Sequence, residues 1–522
     1  MNFRSKQSRV SQPGIPTDPA AHELLLGAPE HETRLLPAPH GRKRAAFAGM
    51  LAGVLVAGIG AGVYLMLHKK VQDTVATTTS TAAKERSVTM YYSDGKTVLY
   101  AYKMNGETAD VTNNSEYSFG WQIEKKLAAT YGAEFTKLGK WEVVTTLDPT
   151  LQKVAKAQVA LQKDAVVKVN GSYGAFIAEE VATGKVVSWV SGFEGSSDSG
   201  ELTAMREAGS LVKPFVYATL LDKTINYGAG SMIEDTQGPL SGYPCTNRNS
   251  PQISSAGNCL WDYDRLYPGK LSVRYALAAN RNVPAVRALE TVGKEAYFTT
   301  LKTLSDGEKL TCYEDAAKTT ATGCYEASAL GDAAYMRRNE LLHAYATLAD
   351  TGVRKPQVLY TKVTLNGAEK ETWKTPQTEQ VLRAEAAYII ADVLYDGDAS
   401  FLPAKLKSNF TAGTQKIGLY TGATNSRSSS SIVAFSPRYA AGVWFGADVA
   451  SAKSLTSVSV ETMALPAMHA WMTAAHTTAY PETTKPAGIK TLNAHIVTQK
   501  VGLMGGEVTP SRTTDLYPSW YK

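Results

Sequence analysis

Arg206–Thr219 reads REAGSLVKPFVYAT, and it holds the chain's most telling spacing. Proline is at home in the first turn of a helix, so Pro214 predicts a helix running to about Leu221 with Ser210 at its N-terminus. Ser210 and Lys213 stand three apart and share a helical face, which lets the amine reach the hydroxyl. A serine hydroxyl attacks a carbonyl only when a base takes its proton. A lysine desolvated in a cleft can be that base without any histidine. The helix N-terminus adds positive potential where an oxyanion would form. Spacing alone does not settle the matter. Ser-x-x-Lys arises by chance in a chain of this length, and Ser93-Asp94-Gly95-Lys96 is a second match that reads as a hairpin tip. By spacing alone, a solvated helix pair is the plainer reading of Ser210 and Lys213.

The surrounding sequence reverses that preference. Thr145–Gln152 (TTLDPTLQ), Ala178–Gly192, Arg206–Thr219, Lys270–Ala285 (KLSVRYALAANRNVPA) and Gln415–Gly446 follow in order. Across roughly residues 143–475 they resemble the transpeptidase domain of class A penicillin-binding proteins. In that family a Thr-Thr-Leu-Asp-Pro-x-Leu-Gln segment, an Arg-x-x-Gly-Ser-x-x-Lys-Pro helix and an Ala-Leu-Ala-x-Ser-x-Asn-x-Pro-Ala segment recur. The resemblance implies an α/β (α+β) fold of the serine transpeptidase and β-lactamase kind, a sheet flanked by helices. It also implies a serine acyltransferase of cell wall biogenesis that acts on D-Ala-D-Ala stem peptides of peptidoglycan and is acylated by β-lactams. Carried over by position, Ser210 is the nucleophile and Lys213 the general base. Asn282 holds the substrate peptide, Thr421 and Gly422 end the Lys-Thr-Gly strand, and the N–H groups of Ser210 and Ala423 form the oxyanion hole. No cofactor or metal is expected.

Three positions depart from the pattern. Asn280 replaces the family's second serine, Tyr420 replaces the strand lysine, and Ala423 replaces a hydroxyl residue. A second register, Lys416-Ile417-Gly418, needs a four-residue insertion and puts isoleucine where threonine belongs. An amide neither donates nor accepts a proton usefully, so Asn280 cannot shuttle one to a leaving amine. Tyr420 keeps a hydroxyl but carries no positive charge. General acid–base help is worth about 10²–10⁴-fold, so a slow enzyme is expected. A catalytically impaired pseudoenzyme, retained as a peptidoglycan-binding or scaffolding module, is the alternative. Both readings expect Asn280, Asn282, Tyr420, Thr421, Gly422 and Ala423 to line the substrate site.

Outward from this core, Ala45–Leu67 is uncharged over 23 residues. As a helix it would rise about 34 Å, enough to cross a hydrocarbon core of about 30 Å. It reads as a single uncleaved anchor. The Arg42-Lys43-Arg44 cluster favours a cytoplasmic N-terminal side and an extracytoplasmic large domain at the plasma membrane. The four cysteines pair by proximity as Cys245/Cys259 and Cys312/Cys324. Two short-range disulfides would suit an oxidising compartment, and free buried thiols are the other reading. Hydrophobic residues at 44% and charged residues at 20% exclude bulk disorder. A net charge of +6 suits an anionic wall polymer or lipid surface, but no basic stripe with interleaved aromatics points to nucleic acid.

The expected layout is a cytoplasmic tail (1–44), the anchor (45–67), a linker (68–85), a pedestal (86–144), the transpeptidase-like domain (145–480) and a less regular C-terminal tail (481–522). The class A glycosyltransferase domain would not fit between anchor and transpeptidase. Wall-synthesis partners, including a separate glycosyltransferase, are therefore expected. Helices are predicted near 210–222, 272–279, 284–293, 338–350 and 384–395, with a hairpin over Ala175–Val190 and late strands near 416–421, 431–436 and 440–445. A Gly-x-Ser-x-Gly elbow and a His-Glu-x-x-His helix are both missing, which removes the usual serine hydrolase and zinc peptidase readings.

Overall fold

A computed structural model describes residues 86–522, apart from 106–107, 114–115, 137–138, 194–199, 249–258, 308–309, 311–325, 333, 401, 425–428, 448–454, 457–459, 495–500, 504–505 and 509–511. The expected tail, anchor and linker lie outside the described residues, as do Cys312 and Cys324. No described helix is long and apolar enough to cross a membrane.

The chain begins with strands β1 (Arg86–Tyr91) and β2 (Val98–Asn105), joined at the Asp94-Gly95 tip. Asp94 Oδ1 accepts from the N–H groups of Lys96 and Thr97, and Gly95 takes φ 65°, so this second Ser-x-x-Lys match is a turn. β3 (Thr108–Asn113), helix α1 (Tyr117–Tyr131) and β4 (Gly139–Thr145) complete the segment. Helix α2 (Pro149–Leu161) starts as predicted: Asp148 caps it by accepting from Thr150 and Leu151, with proline at the first position.

β5 (Tyr173–Glu180) and β6 (Lys185–Ser191) form the expected hairpin. A 3₁₀ turn, Gly209–Val212, then leads into helix α3 (Lys213–Lys223). Helices α4 (Val273–Ala278), α5 (Asn282–Val292) and α6 (Arg338–Ala349) follow. β7 (Tyr360–Leu365) and β8 (Ala368–Thr372) precede α7 (Ala384–Tyr395). The late strands are β9 (Gly418–Ala423), β10 (Ser429–Phe435) and β11 (Tyr439–Gly446), and then comes α8 (Ala464–Ala475). β12 (Lys490–Asn493) and β13 (Thr514–Tyr517) form a terminal antiparallel pair.

The central sheet has five strands in the order β9-β10-β11-β5-β6, all antiparallel. β10 and β11 are buried at every residue, so the sheet needs cover on both faces. α2 and α8 supply one cover, through Trp471, which meets Phe176 and Tyr439 and donates Nε1–H to Leu151 O at 3.2 Å. α6 and α7 supply the other, with Tyr345 and Tyr395 against Phe435. β9 is the edge strand, and its free side faces the Ser210 turn.

Sequence boundaries and sheet boundaries do not coincide. The pedestal sheet runs β8-β7-β4-β1-β2-β3, so two of its six strands come from residues 360–372. β4 carries alternating buried residues, Trp141 and Val143, and β7 caps its open edge. The C-terminal stretch also binds back. Asp515 is 2% exposed and takes the Arg274 guanidinium in a bidentate pair, and Trp520 Nε1–H donates to Leu221 O at 3.0 Å.

Candidate active site

Three elements converge on one cleft: the Ser210 turn with the start of α3, the Asn280-Arg281-Asn282 loop between α4 and α5, and the end of edge strand β9. The turn is pinned by close backbone packing. Gly209 has φ 60°, and a Cβ there would meet Ala423 O at 2.7 Å. Gly331 has φ 82°, and a Cβ there would lie 1.9 Å from Gly209 O. The Ser210 turn is therefore wedged between β9 and the Gly331 backbone. On β9, a Cβ at Gly422 would strike the Leu211 side chain at 2.5 Å, so that glycine also admits the turn.

Lys213 is 1% exposed. Its ammonium donates to Asn280 O at 2.7 Å, Asn280 Oδ1 at 2.8 Å and Asn282 Oδ1 at 2.7 Å. Burial pushes this lysine down to about 7, Asp262 and more weakly Asp332 and Asp235 pull it up, and Arg281 pushes it down. The three oxygens act against the burial, because a lysine nitrogen has three hydrogens to give only when it is charged. Among the described residues, no hydrogen bond reaches the half-buried Ser210 hydroxyl. The spacing put the amine beside the hydroxyl; the structure turns Nζ to the two asparagines instead.

Asn280 is the hub of the cleft. It sits at φ 55°, a left-handed conformation that asparagine tolerates better than most residues. Its Oδ1 accepts from Lys213 and from the Tyr420 hydroxyl at 3.2 Å, and its Nδ2 donates to Thr421 O at 3.3 Å. An ammonium can only donate and Thr421 O can only accept, so the oxygen faces Lys213, Nδ2 faces Thr421, and the amide orientation is fixed. Tyr420 is 3% exposed, and burial holds its hydroxyl well above the usual range, so it stays a neutral donor. Lys416, the other register, is far more exposed and pairs with Glu482 at 3.2 Å, so Tyr420 is the side chain at the site. Thr421, Gly422 and Ala423 complete the wall on the strand's edge.

Sequence reasoning missed what holds the asparagine loop. Arg281 is fully buried and bonds Asp235 Oδ2 at 2.6 Å and Asp264 Oδ2 at 2.7 Å, as well as Leu266 O. Asp262 lies 3.4 Å away and accepts from the Asn282 N–H, while Trp261 O takes Asn282 Nδ2 at 2.7 Å. Burial first, then the adjacent Asp262 carboxylate, pushes the Asp235 carboxyl up to about 9. The Cys245–Cys259 disulfide, one of the two expected pairs, closes just before this Trp261–Asp264 run. A run of two acids and two aromatics was the visible signal. Among the described residues no cluster of histidine, cysteine or carboxylates could hold a metal ion.

The same arrangement of sheet and helices occurs in known structures. Penicillin-binding protein 1A from Haemophilus influenzae superposes with a TM-score of 0.60 at 15% identity, over 79% of this chain and 77% of that one. The PonA1 protein from Mycobacterium tuberculosis, solved in complex with penicillin V, gives 0.55 at 18% identity, over 70% and 94%. In sequence, penicillin-binding protein 1B of Vibrio cholerae serotype O1 is 26% identical over 365 residues, 68% of this chain and 43% of the relative. In sequence and in fold the chain is similar to penicillin-binding-protein transpeptidase domains. Penicillin-binding protein 2D of Bacillus subtilis is 25% identical over 348 residues, 65% of this chain and 45% of its own. The chain thus spans about two fifths of the length of the curated relatives it matches. No family model matches it.

Proposed function

We propose that the chain is a membrane-anchored serine acyltransferase of cell wall biogenesis, with Ser210 as nucleophile and Lys213 as base. The substrate is a peptidoglycan stem peptide ending in D-Ala-D-Ala, laid in extended form along the free edge of β9. Ser210 Oγ bonds to the penultimate carbonyl carbon while Lys213 takes its proton. The C–N bond then breaks, and terminal D-alanine leaves with a proton. Water or an acceptor amine resolves the acyl-Ser210. β-Lactams enter the same path as covalent ligands. The large domain would face outward from the plasma membrane, beside a separate glycosyltransferase.

One observation carries this reading: the turn bearing Ser210 packs on edge strand β9, and next to it in the chain a desolvated Lys213 bonds Asn282. An open edge offers backbone donors and acceptors to an extended peptide. Asn280 cannot pass a proton to the leaving amine, so turnover should fall short of a full complement by about 10²–10⁴-fold. Single-turnover release of D-alanine from a D-Ala-D-Ala pentapeptide by the full chain is the test. Slow release, lost in Ser210→Ala, is expected; release that survives Ser210→Ala would end the proposal.

A second reading has its own support. With all three Nζ hydrogens engaged by Asn280 and Asn282, the resting site resembles a peptide-binding module rather than a poised enzyme. Stem-peptide binding with no D-alanine release would select it.

A further inference from the structure

We propose that Asn280 is a positioning residue that brakes Lys213: its backbone and side-chain carbonyls close a three-oxygen cage around Nζ and hold the amine away from Ser210. The inference rests on the reading of Ser210 as the nucleophile. An ammonium fills three acceptors at 2.7–2.8 Å with its three hydrogens. A neutral amine in the same position would turn its lone pair onto an oxygen, and only the neutral amine can take a proton from Ser210. One acceptor must therefore let go before acylation.

The acceptors differ in what holds them. Asn282 is fixed through Trp261 O and its own N–H on Asp262. Asn280 O is fixed by the backbone, whose left-handed turn aims it at Lys213. Asn280 Oδ1 belongs to a side chain, so a rotation can withdraw it. Two further bonds restrain that rotation, one from Tyr420 and one to Thr421 O. The two departures from the family pattern thus lock each other: tyrosine stands where it can hold the asparagine down. The ionisable groups facing Nζ are Asp262, Asp332, Asp235 and Arg281. All four stay in place when Asn280 alone is changed.

The test is the rate at which a fluorescent penicillin acylates the full chain between pH 6 and 10, in the parent, Asn280→Ala and Asn280→Asp. Removing Oδ1 takes away one charge-assisted hydrogen bond, worth about tenfold in an equilibrium. Asn280→Ala should therefore label about tenfold faster near neutral pH, with its half-maximal rate about one pH unit lower. Asn280→Asp keeps the shape and adds a negative charge, so it should label more slowly with the half-maximal rate at higher pH. A merely structural asparagine would slow both variants and shift neither profile, and that result overturns the brake. Labelling that depends on Ser210 but is not accelerated in Asn280→Ala overturns the brake alone. Labelling that persists in Ser210→Ala overturns the underlying reading.

Discussion

Gly331 has no polar atom in its side chain and no part in the chemistry, yet the site depends on it. A methyl group there would need the space of Gly209 O, at 1.9 Å, in a backbone region that other residues avoid. Gly331→Ala should therefore push the Ser210 turn toward β9. A shift of about 1 Å in a reacting group can cost about 10²-fold, and penicillin acylation should fall by that order while the fold persists. Stopped-flow labelling beside a melting curve would separate the two effects. Ser210, Lys213 and Asn282 were legible in the sequence because each sits in a short local pattern. Arg281 was not. It stands between two residues of that pattern, but its partner Asp235 lies 46 positions away, and nothing local marks the arginine as buried. The chemical consequence of Asn280 was half legible: the loss of a proton shuttle could be read from residue type, but the cage needed geometry.

At the scale of elements, periodicity served well where an element buries one face against its neighbours. α7 begins and ends where its apolar spacing placed it, at Ala384–Tyr395. Long-range pairing was the blind spot. β7 and β8 add to a sheet begun more than 200 residues earlier, and β-pairing leaves no trace in local spacing. By sequence the C-terminal stretch reads as a tail because its pattern is less regular. Its hold on the domain is ionic and aromatic instead: Asp515 on Arg274, with Asp392 and Asp396 beside it, and Trp520 under Arg383 with 3.5 Å between guanidinium carbon and ring centre. Removing one partner from a buried pair leaves an uncompensated charge. Asp515→Ala should cost on the order of 3 kcal/mol in urea unfolding. Glu134→Ala, which breaks the more exposed pair with Lys370, should cost under about 1 kcal/mol. Equal losses would mean that the terminal strap does not bear on the domain.

Across the whole molecule, the described residues build a five-stranded antiparallel sheet covered by helices and a six-stranded sheet that takes two of its strands from residues 360–372. The resting cleft holds the lysine between two asparagines. The fold was legible because the ordered blocks span both parts of the central sheet, the β5-β6 hairpin and β9 to β11, and the starts of helices between and before them, which left little freedom for another topology. The deciding point is whether Ser210 forms a covalent bond. Incubation of the full chain with benzylpenicillin, followed by intact-mass measurement and peptide mapping, answers this directly. A single penicilloyl adduct is expected on the peptide containing Ser210, formed slowly and lost in Ser210→Ala. An adduct on any other residue, or none in either the parent or Asn280→Ala while both remain folded, would contradict the role given to Ser210.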